Sequence, residues 1–523
     1  MSVEQPLVDP GLLSQDPPVA TLPALVIAAA EADPDREFLR FEDRSMTFGE
    51  VERKTAELAG YLAALGVRPG ERVAIMLPNV IGWPLGWLSI LRAGAIAVPI
   101  NAAYRAADLE HVLRDSGARV VLSLPQFRAT IEAARVDLDH VLDIDETLSA
   151  CAGYSPPDVA IGPDSLANLQ YTSGTTGFPK ACMLTHDYWV RMGWLTAGLA
   201  GLTEDDVALT AQPYSYIDPQ WNTAMCLTAR IPLVVLPRFS ASGFWPDVRR
   251  HRATIFYVLG TMPMLLLKQP PSPQDRDNDV RLVLCSGIVP DLHKELEQRW
   301  GAPWREAYGM TESGADLVSP VEDLNAVGSG TMGIPVPTKQ IRIVDELGNE
   351  VPDGEPGELI VHGRPMMLGY WNLPEVTAKT IVNGWLHTGD VAVRDKAGRY
   401  RLVGRLKDMV RRGGENIASA EVEGVIGQHP DVHSAAVVGV PDDLFGEEVK
   451  VFIRLQPGVQ PDRATAKRIL EHARDRLARF KVPRFVEFVA EFPMTPSERI
   501  AKPTLVALSA QQPGPNFDFN SSR

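Results

Sequence analysis

Apolar runs and amphipathic stretches alternate along the first two thirds of the chain. Helical patterns cover 83–92 and 107–115, between segments that have the composition of buried strands. These strand segments are 73–77, 95–100, 118–123, 233–236 and 281–285. Strands separated by a helix at this spacing are typical of βαβ units, which build a mostly parallel sheet. The pattern therefore predicts a large N-terminal portion made of parallel-sheet α/β subdomains.

The composition and the pattern of the chain change after about residue 330. Gly and Pro become frequent and the strand patterns shorten, as in 340–344 and 358–361, which predicts an antiparallel β subdomain over about 330–405. Helical and strand patterns then alternate again from Ala420. We predict an N-terminal domain over 1–405 and a small, mobile α+β domain over 406–523. We expect the first eighteen residues to be a loose arm and the tail from Ser509 to be mobile.

Composition narrows the classes of partner. The 51 Lys and Arg residues are outnumbered by 66 Asp and Glu residues, and a net charge of −15 argues against nucleic acid or an anionic membrane as a partner. Four cysteines neither make a disulfide framework nor have the spacing of a metal site. The first twenty residues lack the features of a signal peptide, and no apolar run is long enough to span a membrane. We therefore expect a cytoplasmic protein.

The clearest chemical motif is Tyr171-Thr-Ser-Gly-Thr-Thr-Gly-Phe-Pro-Lys180, which follows an apolar run. Its glycines let backbone N–H groups converge on an anion, its hydroxyl groups add donors, and Lys180 supplies charge. The Gly-Lys-Ser/Thr ending of a Walker loop is missing. A flexible Ser/Gly linker is the alternative, but linkers seldom end in Pro-Lys after a buried strand. The motif predicts a phosphate-binding loop.

With this loop the chain resembles the adenylate-forming (ANL) superfamily of acyl-CoA synthetases, nonribosomal adenylation domains and luciferases. Four further segments match the motifs of that family in order, and the likeness extends over about 47–505. They are Tyr308-Gly-Met-Thr-Glu312, Trp385-Leu-His-Thr-Gly-Asp390, Gly404-Arg-Leu-Lys-Asp408 and Arg412-Gly-Gly-Glu415. The resemblance implies the ANL fold and an acid–thiol ligase that forms an acyl-CoA through an acyl-AMP.

The resemblance also assigns roles to residues. It implies that Lys180 and Glu312 are catalytic, with Glu312 holding Mg²⁺ between phosphate oxygens, and that Asp390 and Arg405 hold the ribose. The residues implied for binding ATP, AMP or acyl-AMP are Thr172, Ser173, Gly174, Thr175, Thr176, Gly177, Glu306, Ala307, Tyr308, Gly309, Met310, Thr311, Asp390 and Arg405.

In the family one site runs two half-reactions. A carboxylate attacks the α-phosphate of ATP, and the small domain then turns about a hinge, here Lys407, to present coenzyme A. The residues implied for CoA are Arg411, Arg412, Gly413, Gly414 and Lys481. Lys450, Arg479 and Arg484 are further cations of this domain, and for each cation a solvated basic face is an equal alternative.

The chain departs from the family near its C-terminus. The family has Gly-Lys where this chain has Glu498-Arg499, and that lysine bridges the substrate carboxylate and the α-phosphate. Arg499 is therefore the candidate catalytic residue at this position, but arginine is planar and bulkier, so the exchange is not conservative. Lys502 lies three residues further on and would point to the other face of an extended segment, unless a tight turn brings it round. Two hypotheses stay open: an enzyme that mainly thioesterifies an acyl-AMP supplied by a separate adenylating enzyme, and a full two-step ligase.

Other classes stay open as well. These are a stand-alone enzyme that loads a carrier protein, a luciferase-like oxygenase and a non-catalytic adenylate-binding protein. By analogy the acyl pocket is lined by Tyr216, Trp221, Gly260, Thr261 and Gly287, whose small and apolar neighbours indicate a bulky, apolar carboxylic acid. The sequence leaves a homodimer open.

Overall fold

A computed structural model of the chain describes residues 7–172, 179–260, 262–406, 409–412, 415–442, 445–494, 500–511 and 514–519. The chain forms two compact units. The first comprises 1–341 and 361–386, and the second comprises 342–360 and 387–523. The predicted boundary at Arg405 stays a prediction, because these units divide the antiparallel β region differently.

Two sheets with helices between and around them make up the first unit. The elements of its first half are α1 (Leu22–Ala32), β1 (Glu37–Phe41), β2 (Arg44–Thr47), α2 (Phe48–Ala64), β3 (Arg72–Met76), α3 (Gly82–Arg92), β4 (Ile96–Ile100), α4 (Ala106–Ser116), β5 (Val120–Ser123), α5 (Arg128–Ala133), β6 (His140–Asp143), α6 (Ile144–Ala150), β7 (Leu166–Thr172) and β8 (Lys180–Thr185). Those that follow are α7 (His186–Leu199), β9 (Ala208–Thr210), α8 (Ile217–Ala229), β10 (Leu233–Val235), α9 (Phe244–His251), β11 (Ile255–Leu259), α10 (Met262–Leu267), β12 (Leu282–Ser286), α11 (Pro290–Trp300), β13 (Trp304–Met310), β14 (Gly314–Val318) and β15 (Thr331–Pro335).

The strand order confirms the predicted parallel α/β architecture. One sheet runs β6-β5-β3-β4-β7-β8, parallel except at the β7–β8 pair. The other runs β15-β14-β13-β12-β11-β9-β10-β1-β2, with parallel pairing from β13 to β1. Ligand sites of such sheets lie at the carboxyl ends of the strands, where β11, β12 and β13 end.

Local signals set the ends of these elements. The Thr47 hydroxyl accepts from the Glu50 N–H and the Glu50 carboxylate accepts from the Thr47 N–H, a capping box that starts α2. Gly117 ends α4 with a φ of 66°, in the left-handed conformation that glycine adopts most readily.

The N-terminal segment corrects one expectation. From residue 7 the arm is packed rather than loose: Val8 and Leu13 are each 2% exposed. The Leu7 N–H donates to the Leu202 carbonyl at 2.8 Å. Leu13 fits against Gly198, where a Cβ atom would lie only 2.4 Å from a Leu13 methyl carbon. Burial of these two apolar side chains explains why the polar, Pro-rich composition misled the prediction.

The second unit contains a series of neighbouring strands and, separately, a six-stranded sheet. Its elements and the connecting ones are β16 (Lys339–Val344), β17 (Gly357–Gly363), α12 (Pro374–Thr380), β18 (Ile381–Val382), β19 (Trp385–Arg394), β20 (Tyr400–Arg405), β21 (Met409–Arg412), β22 (Glu415–Ala418), α13 (Ser419–Gly427), β23 (Val432–Asp442), β24 (Gly446–Leu455), α14 (Arg463–Arg474), β25 (Phe485–Phe488), α15 (Lys502–Gln511) and β26 (Asn516–Asp518). The strands of the series lie in the order β16-β17-β19-β20, with β18 on β19, and the six-stranded sheet runs β22-β21-β24-β25-β26 with β23 also on β24.

The C-terminal segment corrects a second expectation. The tail expected to be mobile from Ser509 completes α15 and then adds β26 antiparallel to β25. Leu505 is 3% exposed, and Phe517 and Phe519 pack on the core of the small sheet. Aromatic burial therefore fixes the tail, in spite of its polar composition. Within the described ranges, no helix has the length and apolarity that crossing a membrane requires.

Candidate active site

Lys180, Tyr370 and Glu312 form a chain of contacts in the first unit. The Lys180 ammonium lies 4.5 Å from the centre of the Tyr370 ring, and the Tyr370 hydroxyl donates to Glu312 Oε1 at 2.8 Å. Glu312 is only 8% exposed. A cation over an aromatic face and a hydroxyl on a carboxylate are both favourable when desolvated. The structure thus links two of the residues that the sequence predicts to be catalytic.

Tyr370 is held by the strand on which Lys180 lies. The segment before and after it pairs with β8, with the Leu368 N–H donating to Met183 O at 2.9 Å and the Trp371 N–H to Ala181 O at 2.8 Å. The Met367 N–H donates to the Glu312 carbonyl at 2.8 Å. Sequence reasoning missed Tyr370, because its partner Glu312 is 58 positions away and no local pattern joins them.

Cys182 lies fully buried beside this carboxylate, and its backbone bridges to Tyr370. Burial, followed by the charge of Glu312, raises the pKa of the Cys182 thiol well above its ordinary value. The thiol is therefore neutral and serves as a small packing group under Glu312.

Glu306 joins the predicted nucleotide segment to the loop after β12. Its two carboxylate oxygens accept from the backbone N–H groups of Gly287 at 2.6 Å and Ile288 at 2.8 Å. Gly287 has a φ of 93°, a conformation that suits glycine. Burial raises the pKa of Glu306 to about 7, although the two hydrogen bonds favour its ionised form. Glu306 thereby fixes the backbone at the carboxyl ends of β12 and β13.

Most of the predicted acyl-pocket residues lie around the same loop. The Tyr257 hydroxyl donates to Ser286 Oγ at 2.7 Å, and its ring packs edge-on against Trp221 at 5.4 Å between centroids. The Gly260 N–H donates to Ser286 O at 3.1 Å, which places Gly260 beside Gly287. Tyr257 was missed by the sequence analysis, since its place inside a strand resembles that of an ordinary core residue.

A buried network of amides holds the backbone around Tyr216. The Gln220 amide donates to Gln170 Oε1 at 3.1 Å and to the Tyr216 carbonyl at 3.0 Å, while Asn168 donates to Gln220 at 2.7 Å. The Tyr216 hydroxyl accepts from Asn101 at 3.2 Å. Satisfied amides of this kind specify one arrangement, because an unpaired buried amide is costly. This network therefore fixes the position of Tyr216.

Asp390 and Arg405 meet in the second unit. They are register partners on β19 and β20, and Arg405 Nε lies 2.8 Å from Asp390 Oδ1. The turn before them is fixed by Glu358, which accepts from the Gly389 N–H at 3.0 Å and contacts His387 Nδ1 at 2.8 Å. The pair that the sequence assigned to the ribose thus exists as a local feature of one hairpin.

Four of the cations considered for CoA contact carboxylates in the second unit. Arg412 binds Glu448 through two bonds, of 2.6 and 3.0 Å, and lies 4.1 Å from the Phe445 ring centre. Lys481 contacts Glu421 at 2.7 Å. Lys450 and Arg484 are likewise ion-paired, at 2.7 and 3.0 Å. Their assignment to CoA stays a prediction.

Lys502 is also paired. Its ammonium lies 2.8 Å from Glu423 Oε1, and Met494 and Ile500 form an antiparallel bridge across the segment between them.

Several predicted residues lie outside the described part of the chain or have no described side chain. These are Ser173, Gly174, Thr175, Thr176, Gly177, Thr261, Lys407, Arg411, Gly413, Gly414, Glu498 and Arg499.

Magnesium fits what surrounds Glu312. Among the described residues no group of three or more His, Cys, Asp or Glu side chains could cage a metal ion. Mg²⁺ keeps several waters and is bound through one or two carboxylates plus substrate phosphates, so the lone Glu312 carboxylate suits it. Its metal and nucleotide roles remain predictions.

The comparisons with known proteins agree with this geometry. The AMP-binding enzyme family matches residues 26–371, and the C-terminal domain of AMP-binding enzymes matches 421–499. A feruloyl-CoA synthase of Amycolatopsis sp is 34% identical over 482 residues, which cover 91% of this chain and 96% of the relative. The o-succinylbenzoate CoA synthetase of Bacillus subtilis, solved with its acyl-adenylate, superposes with a TM-score of 0.84 at 28% identity, covering 92% of this chain and 97% of that one. The same enzyme solved with ATP and magnesium has a TM-score of 0.82, covering 92% and 99% of the two chains at 28% identity.

These matches confirm the predicted superfamily and its fold, a large sheet-containing N-terminal part followed by a small C-terminal domain. They also confirm the predicted enzyme class, since the matched proteins are CoA ligases. The chain belongs to the AMP-binding enzyme family and is an AMP-forming acid–thiol ligase of the acyl-CoA synthetase type.

Proposed function

We propose that this ligase forms its acyl-CoA mainly by thioesterifying an acyl-AMP that a separate adenylating enzyme supplies. The observation that carries the proposal is the state of Lys502. Arg499 stands where the family has its lysine, and Lys502, the nearest substitute, is paired with Glu423 at 2.8 Å. A lysine so engaged would have to give up a half-buried ion pair to reach a substrate.

The electrostatics of adenylation also support an enzyme that performs thioesterification but little adenylation. A substrate carboxylate must approach an anionic α-phosphate, which needs a compact cation between them. The Arg499 guanidinium spreads its charge over a plane, and Glu498 adds a negative charge next to it. Thioesterification starts from a mixed anhydride already formed, so it does not need that cation. In that step the CoA thiolate attacks the acyl carbon, the acyl–phosphate bond breaks, and AMP leaves.

We propose that the nucleotide is bound by the residues that the family motifs identify. We assign the phosphates to the loop that ends at Lys180, the metal to Glu312 and the ribose to Asp390 with Arg405. Glu306 and the segment up to Thr311 would hold the adenine, because Glu306 fixes the backbone there through two hydrogen bonds. When bound, Mg²⁺ would neutralise phosphate charge during adenylation.

The acid is proposed to be bulky and apolar. Trp221 and Tyr257 pack edge to face, and both Tyr257 and Gly260 hydrogen-bond to Ser286, which precedes Gly287. Aromatic rings with glycines beside them suit a bulky, apolar acid. Feruloyl-CoA synthase and o-succinylbenzoate CoA synthetase are each named for an acid with an aromatic ring. A homodimer and a carrier protein as acceptor remain expectations.

A full two-step ligase is the second candidate. Arg499 keeps a positive charge at the position of the family lysine, and the contact chain from Lys180 to Glu312 is complete. An enzyme with these groups would make acyl-CoA from ATP and the free acid.

One experiment separates the two candidates. Purified protein is given CoA with a panel of aromatic and long-chain acyl-AMPs in the absence of ATP, and in parallel with the matching free acids and Mg·ATP. We expect CoA thioester from the adenylates and little from the acids. Thioester formation at equal rates in both arms would favour the two-step ligase. No thioester from any adenylate would reject acyl-AMP as the substrate.

A further inference from the structure

Lys339 is a fully buried cation next to the segments that hold Glu312. Both its side chain and that of Asp316 are 0% exposed, with the ammonium 3.5 Å from Asp316 Oδ1. Burying a charge is costly unless it is paired and hydrogen-bonded, so such a lysine is expected to have a specific set of partners.

The three N–H groups of the ammonium find three backbone carbonyls. Lys339 donates to Ser313 O at 2.7 Å, to Gly363 O at 3.2 Å and to Pro365 O. Asp316 in turn accepts from the Ser313 hydroxyl at 2.5 Å. The cation therefore joins two stretches of backbone, one at 313–316 and one at 363–365.

These two stretches are the supports of the Glu312 carboxylate. Ser313 follows Glu312 directly, and the other stretch leads to Met367, whose N–H donates to the Glu312 carbonyl at 2.8 Å. Three residues later Tyr370 donates to the Glu312 side chain. Gly363 permits the close approach, because a Cβ atom there would lie 2.2 Å from the Thr338 carbonyl oxygen.

We propose that Lys339, with Asp316 as its counter-charge, is a positioning residue for the metal-binding carboxylate of Glu312. Removing the ammonium would let the two stretches separate, and Glu312 would lose its fixed place relative to the phosphates. The inference rests on the proposed role of Glu312 in holding Mg²⁺. It does not depend on whether acyl-AMP is made by this chain or supplied to it.

The test measures binding rather than turnover. ATP binding is followed by isothermal titration calorimetry over a range of Mg²⁺ concentrations, and AMP binding is measured in EDTA. For Lys339→Met we expect the Mg²⁺ concentration that half-saturates the effect on ATP affinity to rise about tenfold, as is common for supporting residues of a metal ligand. AMP affinity, which needs no metal, is expected to stay unchanged.

Arg281→Met is the matched control. Arg281 also pairs with a buried carboxylate, Asp206 at 2.6 Å, and donates to the Ala200 carbonyl at 2.9 Å. It stands just before β12, at the strand end opposite to Gly287. We expect this variant to lose stability in urea without any change in the Mg²⁺ dependence.

A double variant covers the case in which Lys339→Met does not fold. Lys339→Met with Asp316→Leu removes both charges, and replacing a buried ion pair by apolar groups is often neutral for stability. We expect it to fold and still to show the shifted Mg²⁺ dependence. A stable double variant with wild-type Mg²⁺ dependence would overturn the inference. If ATP binding by the wild type does not respond to Mg²⁺, the metal assignment of Glu312 fails and the inference fails with it, while thioester formation from acyl-AMP is unaffected.

Discussion

Asp390 and Arg405 face each other across β19 and β20, with Arg405 Nε 2.8 Å from Asp390 Oδ1. The Asp390 side chain is almost fully buried, and its own N–H donates to Thr388 Oγ1 at 3.0 Å. The hairpin alone therefore orients a carboxylate, with no ligand needed to order it.

The first prediction follows from that orientation. Asp390→Ala should weaken AMP binding by about 2 kcal/mol, near thirtyfold, because the ribose hydroxyls lose a charged acceptor. Calorimetric titration with AMP measures the change. Asp395→Ala is the control, since Asp395 pairs with Arg399 at the turn of the same hairpin. Equal AMP affinity in Asp390→Ala and the wild type would show that the ribose lies elsewhere.

The second prediction concerns the hinge at Lys407. Lys407→Pro should slow the transfer of the acyl group from a supplied acyl-AMP to CoA, while acyl-AMP binding is retained. Proline fixes φ at about −65° and so hinders rotation of the small domain. Single-turnover thioester formation and equilibrium binding are the two measurements. Lys407→Ala keeps the backbone free and should transfer at close to the wild-type rate. Normal transfer by the proline variant would place the pivot at another residue.

The third prediction rests on Glu498 and Arg499. The double change Glu498→Gly with Arg499→Lys should restore ATP-dependent acyl-AMP formation, because it returns a compact cation and removes a negative charge. Loss of one well-placed charged group costs about 10²–10³ in rate, so a gain of at least tenfold is expected in pyrophosphate exchange. Arg499→Lys alone should give less. Brisk ligation from ATP and free acid by the unaltered protein would contradict the impairment.

The fourth prediction is a pH dependence of stability. His186 is 1% exposed at the start of α7, and burial lowers its pKa from 6.5 to about 4. Below about pH 6.5 the imidazole of His186 is protonated in the unfolded chain but stays neutral in the folded one. The free energy of unfolding therefore falls as the pH drops from about 6.5 toward 4. Between pH 7.5 and pH 5 the loss should be about 2 kcal/mol.

Urea unfolding of His186→Gln tests this dependence. The variant should lose less stability than the wild type on going to pH 5, by the same amount. His433→Gln is the control, because His433 is exposed on β23. Parallel pH profiles for His186→Gln and the wild type would show that the buried imidazole does not set the acid limb.

The elements with regular patterns were predictable from the sequence. The strand expected at 95–100 is Ile96–Ile100, and the helix expected at 107–115 is Ala106–Ser116. The first is a continuous apolar run of strand length and the second has helical periodicity, and both patterns are local enough to be recognised in the sequence.

The contacts that build the site were beyond the sequence. Glu312 was found by its motif, but Tyr370, which donates to its carboxylate, and Lys339, which donates to the Ser313 carbonyl, come from distant segments of the chain. Leu13 and Phe517 were placed in loose segments because their neighbours are polar. In each case a side chain contacts a residue far away in the sequence. Local composition does not indicate such a contact, so the sequence alone could not predict it.

The ion pairs of Arg412 and Lys481 affect how the second unit would bind an anionic partner. A phosphate arriving at Arg412 or Lys481 exchanges with a carboxylate already in place, so the total number of ion pairs hardly changes. Long-range attraction would then contribute little to the encounter with CoA, in a protein whose net charge is −15. If these cations contact CoA, selection of the thiol partner depends mainly on the fit of its neutral arm.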